Sequence, residues 1–378
     1  MAFILISHAV IVFDAFHLLD LAISALRYLV FFYLFIIFIR QSVDKVHIYW
    51  LVFFIYLLLT TMLGHGSIAN VIGPAIDTII LLMMFYVFRD NVTGILKAVT
   101  IALSFYIYLN LILLFLYPDG LWMDPISGKG YYLLSGNYNG MGARFVCALT
   151  TNLLICKNSL RAKINLACLI VVSFVSVLFV RSMTSTVSIV MLLTLWIMAR
   201  SRMHSKLVVA FFIFYVLVQL FVVFLLSDLS NITALVNFFE NILHKDTTFT
   251  QRSFLWESSA RLISESPWLG YGYHDKTWNE LKLGGPGSHN FVYTILLYGG
   301  YPLLGMFVTI VISSLRRNVT LFGERNLSYL LLGVNVLFFM MIFEYYVFFI
   351  TAYLLTLIYY YPSLSSKFKS HDTRALHT

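Results

Sequence analysis

The stretch Gly284–Arg317, GGPGSHNFVYTILLYGGYPLLGMFVTIVISSLRR, contains the features that decide the fold of this chain. An apolar run over residues 290–314 is long enough to cross a bilayer as a helix. It follows a glycine-rich approach and His289, and it ends at Arg316 and Arg317. Because Arg and Lys concentrate on the cytoplasmic side of membrane proteins, the run predicts a spanning helix with His289 at its outer end.

The rest of the chain has a similar composition. Of its 378 residues, 60% are hydrophobic and 11% are charged, which is too little charge to cover the surface of a soluble domain. Apolar runs of about twenty residues therefore predict an all-α, polytopic integral membrane protein with about 12 transmembrane helices and one large, partly helical outer loop. The predicted spans are 2–18, 21–39, 47–63, 73–88, 95–117, 139–156, 164–180, 183–199, 207–227, 290–314, 327–343 and 345–361.

Basic residues in the connecting segments predict the orientation of these helices. Alternate short loops carry the clusters, and one alternation with both termini in the cytoplasm fits every short loop. The net charge of +8 is thus spread over short loops, so nucleic acid is not expected as a partner. The clusters are Arg40/Lys45, Arg89/Lys97, Lys157/Arg161/Lys163, Arg200/Arg202/Lys206 and Arg316/Arg317/Arg325.

Four consecutive parts follow from this topology. They are transmembrane helices 1–9 (1–227), the large outer loop (228–289), transmembrane helices 10–12 (290–361) and a cytoplasmic tail (362–378).

The large outer loop contains two predicted helices. Residues 231–244 are amphipathic and are expected to lie on the membrane surface. Residues 250–264 place Arg252, Trp256 and Ser259 on one face.

Charged residues also occur where spanning helices rarely carry them. Arg27, Arg144 and Arg181 fall in the outer ends or outer halves of predicted spans. Each could reach the interface or pair with an acid such as Asp20, but several arginines on one side could also hold a diphosphate. The role of Asp77, in the fourth span, is left open between a partner for one of these arginines and a helix cap.

His289 is the candidate general base, since a neutral imidazole near pH 7 can accept a proton from a sugar hydroxyl. The alternative is a helix-capping role shared with Ser288 and Asn290.

Several short motifs carry a resemblance to a known family. Arg252-Ser-Phe-Leu-Trp256, Gly270-Tyr-Gly272, Ser288-His-Asn290 and Tyr298-Gly-Gly300 together resemble the signature of the O-antigen ligase/polymerase superfamily, with most similarity to Wzy-type O-antigen and capsule polymerases. The resemblance implies that Arg252 and His289 are the catalytic residues.

We expect the substrate to be contacted by Arg181, Arg144, Ser185, Asn290 and Trp256. The related ligases carry an arginine in a Thr-Arg-Ala-like step at the outer start of the eighth helix, where this chain has Ser185. Arg181 lies four residues earlier and would share a face with Ser185 if the helix were continuous.

The resemblance implies a polymerase that transfers a glycan from undecaprenyl diphosphate to a sugar hydroxyl of a lipid-linked repeat unit, on the outer side of the bacterial inner membrane. No cofactor or metal is expected, since the chain has no Asp-X-Asp pair of the kind that binds a metal and nucleotide sugar. Expected partners are the undecaprenyl-diphosphate-linked oligosaccharide, membrane lipids, and flippase and chain-length regulator proteins.

Two alternatives stay open at this point. The first is a ligase that moves finished glycan to lipid A core or protein. The second is a non-catalytic flippase or transporter, which predicts paired charges near the bilayer midplane and duplicated halves.

Overall fold

A computed structural model describes residues 17–40, 43–123, 130–131, 140–155, 160–199, 204–224, 248–344 and 348–365. Three predictions fall wholly or mostly outside these residues: the first span 2–18, the amphipathic segment 231–244 and the tail 362–378.

The fold is that of an all-α polytopic membrane protein, as predicted. A two-residue antiparallel hairpin pairs β1 (Trp122–Met123) with β2 (Gly130–Tyr131). The α-helices of the described part are α1 (His17–Phe38), α2 (Lys45–Leu63), α3 (Ile68–Val87), α4 (Val92–Leu116), α5 (Met141–Ile155), α6 (Leu160–Phe179), α7 (Met183–Met198), α8 (His204–Phe224), α9 (Thr248–Glu265), α10 (Lys276–Leu283), α11 (Phe291–Arg316), α12 (Arg325–Met340) and α13 (Phe348–Tyr359).

Each predicted span from the second to the twelfth corresponds to one of these helices. Within the described residues, six helices are long and apolar enough to cross a membrane, and shorter apolar helices accompany them. The helix predicted over 250–264 is α9, whereas α10 was not predicted from the sequence. The α10 helix is short and polar, and it is defined by its ends: Asp275 accepts a hydrogen bond from Trp278 N, and Gly284 adopts φ 80° after the last turn.

Hydrogen bonds at the two ends of the bundle show that the helices alternate in direction. At one end, which we call the site end, Phe291 N at the start of α11 donates to Met341 O just past α12 (2.9 Å). Ser67 N, after α2, donates to Tyr273 O at the same end (2.8 Å). At the opposite end, Tyr360 OH donates to Asp44 Oδ2 at the start of α2 (2.7 Å).

The α12 helix lies at the centre of the bundle, where it packs against α5, α7, α8 and α13. Almost all of its side chains are buried. The α8 helix lies at the periphery, and its outward residues include Leu217, which is 60% exposed. Such apolar exposure fits a surface that faces lipid.

A break in α11 joins the large loop to the bundle. Gly299 and Gly300 leave the helical conformation, and Gly300 adopts φ 62°, which favours glycine. A Cβ at Gly300 would collide with the carbonyl of Pro267, and Tyr301 N donates to that same carbonyl (2.8 Å). The break therefore lets the loop after α9 pack directly against α11.

Candidate active site

The start of α11 is fixed by a network around Asn290. The Asn290 side chain caps the helix by accepting hydrogen bonds from Val292 N (2.9 Å) and Tyr293 N (3.1 Å). It also accepts from Gln219 Nε2 on α8 (3.1 Å) and donates to Ile342 O after α12 (3.1 Å). These bonds hold the ends of three helices together next to His289.

His289 adopts a left-handed backbone conformation, with φ 49°. A non-glycine residue in this region carries a strain of about 1–3 kcal/mol, which the surrounding structure must offset. Its imidazole Nδ1 lies 3.1 Å from Glu344 Oε2, and its side chain is 29% exposed. When Nδ1 carries the proton and donates to Glu344, the neutral ring has its lone pair on Nε2.

Glu344 joins the two predicted catalytic residues. Its other oxygen, Oε1, accepts a hydrogen bond from Arg252 Nη2 at 2.7 Å. The carboxylate is 5% exposed, whereas the Arg252 side chain is 22% exposed. One buried acid thus holds a guanidinium and an imidazole at the same place, each of them partly open to solvent.

Sequence reasoning missed Glu344. It follows α12 in the short connection to α13, and it lies 92 residues from Arg252 and 55 from His289. The one available signal was an acid between two apolar runs at the predicted outer face, where no basic cluster accompanies it.

The position of α9 brings Arg252 to this site. The helix packs its apolar face on the first turns of α11, and Trp256, Leu262 and Ile263 lie in a small core with Tyr293 and Leu296. Arg252 lies one turn before Trp256, at the edge of this core.

Two of the predicted substrate contacts are packed inside the protein around the start of α11. Trp256 and Asn290 are each fully buried in the core around the start of α11. The structure therefore places both residues where they support Arg252 and His289, whereas direct contact with a substrate would require these side chains to become exposed.

Arg144 lies at the site end, in the first turn of α5, and is 9% exposed. Its Nη1 donates to Gly140 O at 3.4 Å. A Cβ at Gly142 would collide with the side chains of Ser185 and Met340, so α5 approaches α7 and α12 closely here. The start of α5 therefore lies beside the end of α12, four residues before Glu344.

The helix is not continuous from Arg181 to Ser185, so the condition under which the two residues would share a face is not met. Arg181 lies in the turn between α6 and α7, with φ 54°, and α7 begins after Ser182. The turn is closed by Ser182 N donating to Val177 O, a bond typical of a helix C-terminus. The Arg181 side chain is exposed, whereas Ser185 is fully buried and accepts from Ser182 Oγ (2.8 Å).

Arg27 and Asp77, whose roles were open, pair with each other. Arg27 Nη1 lies 3.0 Å from Asp77 Oδ1, between α1 and α3. The pair is largely buried, so each charge neutralises the other inside the helical bundle.

Aromatic side chains of the loop between α9 and α10 pack on each other. Tyr273 packs against Tyr298 of α11 with tilted rings whose centroids are 4.7 Å apart, and His274 stacks on Trp278 at 4.2 Å. Burial lowers the pKa of His274 and raises that of Tyr271. These contacts hold the loop in place beside the site.

The arrangement can accept a proton at Nε2 of His289 and can stabilise the resulting imidazolium through Glu344. It can also place positive charge next to a bound anion through Arg252. In the described residues no cluster of three His, Cys, Asp or Glu side chains is placed to hold a metal ion.

Comparison with known proteins found one family. The family model Wzy_C, described as O-antigen ligase, matches residues 166–308. Comparisons with curated proteins and with solved structures gave no match. The matched segment contains Arg252 and His289, and it supports the similarity of this part of the chain to the O-antigen ligase/polymerase superfamily.

Proposed function

We propose that this protein is a polysaccharide polymerase that transfers a glycan from undecaprenyl diphosphate to a sugar hydroxyl of a lipid-linked repeat unit. The observation that carries the proposal is the shared contact of Arg252 and His289 with Glu344. It combines a base and a cation at one end of a membrane bundle, which is the combination that glycosyl transfer from a diphosphate requires.

In the proposed reaction, Nε2 of His289 accepts the proton of the acceptor hydroxyl. The hydroxyl oxygen forms a bond to the anomeric carbon of the donor as the bond from that carbon to the diphosphate oxygen breaks. The diphosphate leaves with the electron pair, and the anomeric configuration is inverted. Glu344 stabilises the imidazolium and sets the orientation of the ring.

Arginines would neutralise the departing diphosphate. Arg252 lies at the site, and Arg144 and Arg181 lie at the same end of the bundle. A guanidinium remains charged at biological pH and matches phosphate oxygens with two parallel hydrogen bonds. Preorganised positive charge of this kind lowers the barrier for a leaving anion without a metal ion.

We further propose that the site end faces outward from the bacterial inner membrane and that both termini are cytoplasmic. Several basic residues that lie at the opposite end support this, among them Lys45, Arg89, Arg317 and Arg325. Such residues concentrate on the cytoplasmic side.

The test is reconstitution of the purified protein in nanodiscs with an undecaprenyl-diphosphate-linked repeat unit and a chelator. We expect a ladder of glycans that differ by one repeat. Absence of any glycan transfer in the wild-type protein, with the repeat unit intact, would contradict the proposal.

A ligase is the second candidate, because the matching family model is described as O-antigen ligase. A ligase would move one preassembled glycan to lipid A core or protein, and it would not extend lipid-linked repeats. Adding lipid A core to the same nanodiscs distinguishes the two reactions: a single product on the core, without a ladder on the lipid carrier, identifies the ligase.

A further inference from the structure

An apolar cleft lies between α8, α9 and α11, with a volume of about 380 Å³. Its walls are formed mostly by aliphatic and aromatic side chains, such as Leu220, Ile263, Leu296 and Leu304. No Asp, Glu, Lys, Arg or His is among its lining residues in the described part of the chain. The cleft is therefore suited to a hydrocarbon ligand and does not suit an ion.

The cleft borders the hydrogen-bonded network that fixes the start of α11. Its polar corner is Gln219, whose side-chain amide donates to Asn290, the residue after His289. Both parts of α11 contribute to its wall: Val292, Tyr293 and Leu296 come before the break at Gly299 and Gly300, and Tyr301 and Leu304 come after it. One corner of the cleft thus lies beside the turn that carries His289.

The cleft also opens on the flank of the bundle that faces lipid. Leu220 on its rim is 47% exposed, and Tyr301 is 51% exposed. Trp268 contacts Tyr301 with ring centroids 6.0 Å apart and is 67% exposed, as is typical of aromatic side chains at a membrane interface. A lipid chain could therefore enter from the bilayer without passing through the protein.

We propose that this cleft holds the first isoprene units of the donor's polyprenyl chain, an inference that rests on the proposed transfer from undecaprenyl diphosphate. In the donor, the reacting carbon is attached to the diphosphate, and the diphosphate to the chain, so the chain must begin close to His289. In the acceptor, a whole oligosaccharide separates the reacting hydroxyl from its own lipid. Because the cleft lies beside His289, its position fits the lipid chain of the donor and does not fit that of the acceptor.

The cleft acts by positioning. Bilayer hydrocarbon is as apolar as the cleft wall, so moving a chain between them gains little hydrophobic free energy. The benefit is orientation, because a chain held along α11 directs its diphosphate towards Arg252. Blocking the cleft should therefore weaken binding of the lipid diphosphate and should spare binding of a diphosphate that has no chain.

The experiment measures binding of two probes, undecaprenyl diphosphate and inorganic pyrophosphate, to the full-length protein in phospholipid nanodiscs. Ser264→Trp fills the cleft from α9, where Ser264 is exposed and donates a hydrogen bond to Arg261 O within the same helix. We expect it to weaken undecaprenyl diphosphate binding by about tenfold, equivalent to about 1.4 kcal/mol, and to leave pyrophosphate binding within about twofold. Leu220→Trp fills the cleft from α8 and should have the same effect.

Leu217→Trp is the matched control, since it adds the same side chain on a lipid-facing position of α8 outside the cleft. Unchanged undecaprenyl diphosphate binding in both cleft variants, equal losses for both probes, or the same loss in the control would each overturn the cleft assignment. Arg252→Ala should weaken both probes, and lipid binding that depends on the cleft but is independent of Arg252 would exclude the donor as the occupant. If the wild-type protein binds neither probe, the proposed function itself fails.

Discussion

The α12 helix has a carboxylate at each of its ends, and the two have different partners. Glu324, before the helix, accepts hydrogen bonds from Tyr361 OH (3.1 Å) and Ser365 Oγ (2.8 Å). Glu344, after the helix, binds Arg252 at 2.7 Å and His289 at 3.1 Å. Hydroxyl donors at the opposite end fix the helix ends to each other, whereas at the site end the partners are a cation and a base.

The backbone conformation also differs between the two ends. Glu324 has extended backbone angles (φ −77°, ψ 130°), which any residue adopts, whereas His289 is held at φ 49°. Local strain that the structure maintains is found most often at functional sites. A hydrogen-bonded carboxylate is therefore common to both ends, and the chemistry of its partners distinguishes the candidate active site.

The largest expected effect comes from removing the base. We expect His289→Ala to lower glycan transfer by about 10³-fold, within the usual range for a general base, while the protein still inserts into the membrane. The measurement is the length distribution of glycan extracted from cells that express the variant. Tyr361→Phe, at the opposite end, is the control and should keep wild-type activity; wild-type chain lengths in His289→Ala would refute the base assignment.

Exchange of the two carboxylates for amides tests the comparison directly. Glu344→Gln should lower transfer by about 100-fold, because a neutral amide does not stabilise the imidazolium and no longer holds Arg252 through a charge-assisted hydrogen bond. Glu324→Gln should change transfer by less than about threefold, since hydroxyls can donate to an amide oxygen as well. Initial rates in nanodiscs give both numbers, and equal losses in the two variants would mean that the ends are not functionally different.

Arg252→Lys should be nearly as damaging as Arg252→Ala, with a loss of about 30-fold in transfer, because a point charge does not replace the planar guanidinium fork. The same assay measures this loss. Full activity of the lysine variant would show that transfer does not require bidentate binding by the guanidinium. Arg261→Lys, an exposed position on the same helix, is the matched control and should have no effect.

The smallest expected effect concerns stability. Asn290→Ala removes the cap of α11 and leaves Gln219 without a partner for its amide, which should cost about 2 kcal/mol of unfolding free energy. Asp275→Ala removes the exposed cap of α10 and should cost about 1 kcal/mol or less. Denaturant unfolding of the detergent-purified protein measures both, and a larger loss in Asp275→Ala would show that burial does not strengthen the cap at the site end.

The sequence by itself determined the membrane fold and the pair of residues at the centre of the proposed site. Apolar runs predicted each described spanning helix because lipid contact requires a continuous apolar stretch, which is a local property of the chain. Arg252 and His289 were found because each lies in a recognisable motif of the large loop.

The tertiary structure alone decided what joins these residues. Glu344 meets Arg252 and His289 across 92 and 55 residues of chain, and no local spacing encodes such a contact. Two side-chain positions also depend on the tertiary structure. Trp256 is buried because α9 packs on α11, and Arg181 is exposed because the chain reverses direction in the turn before α7. The spacing of apolar residues in the sequence indicates which face of one helix is buried. The site, in contrast, is formed where the ends of several helices meet.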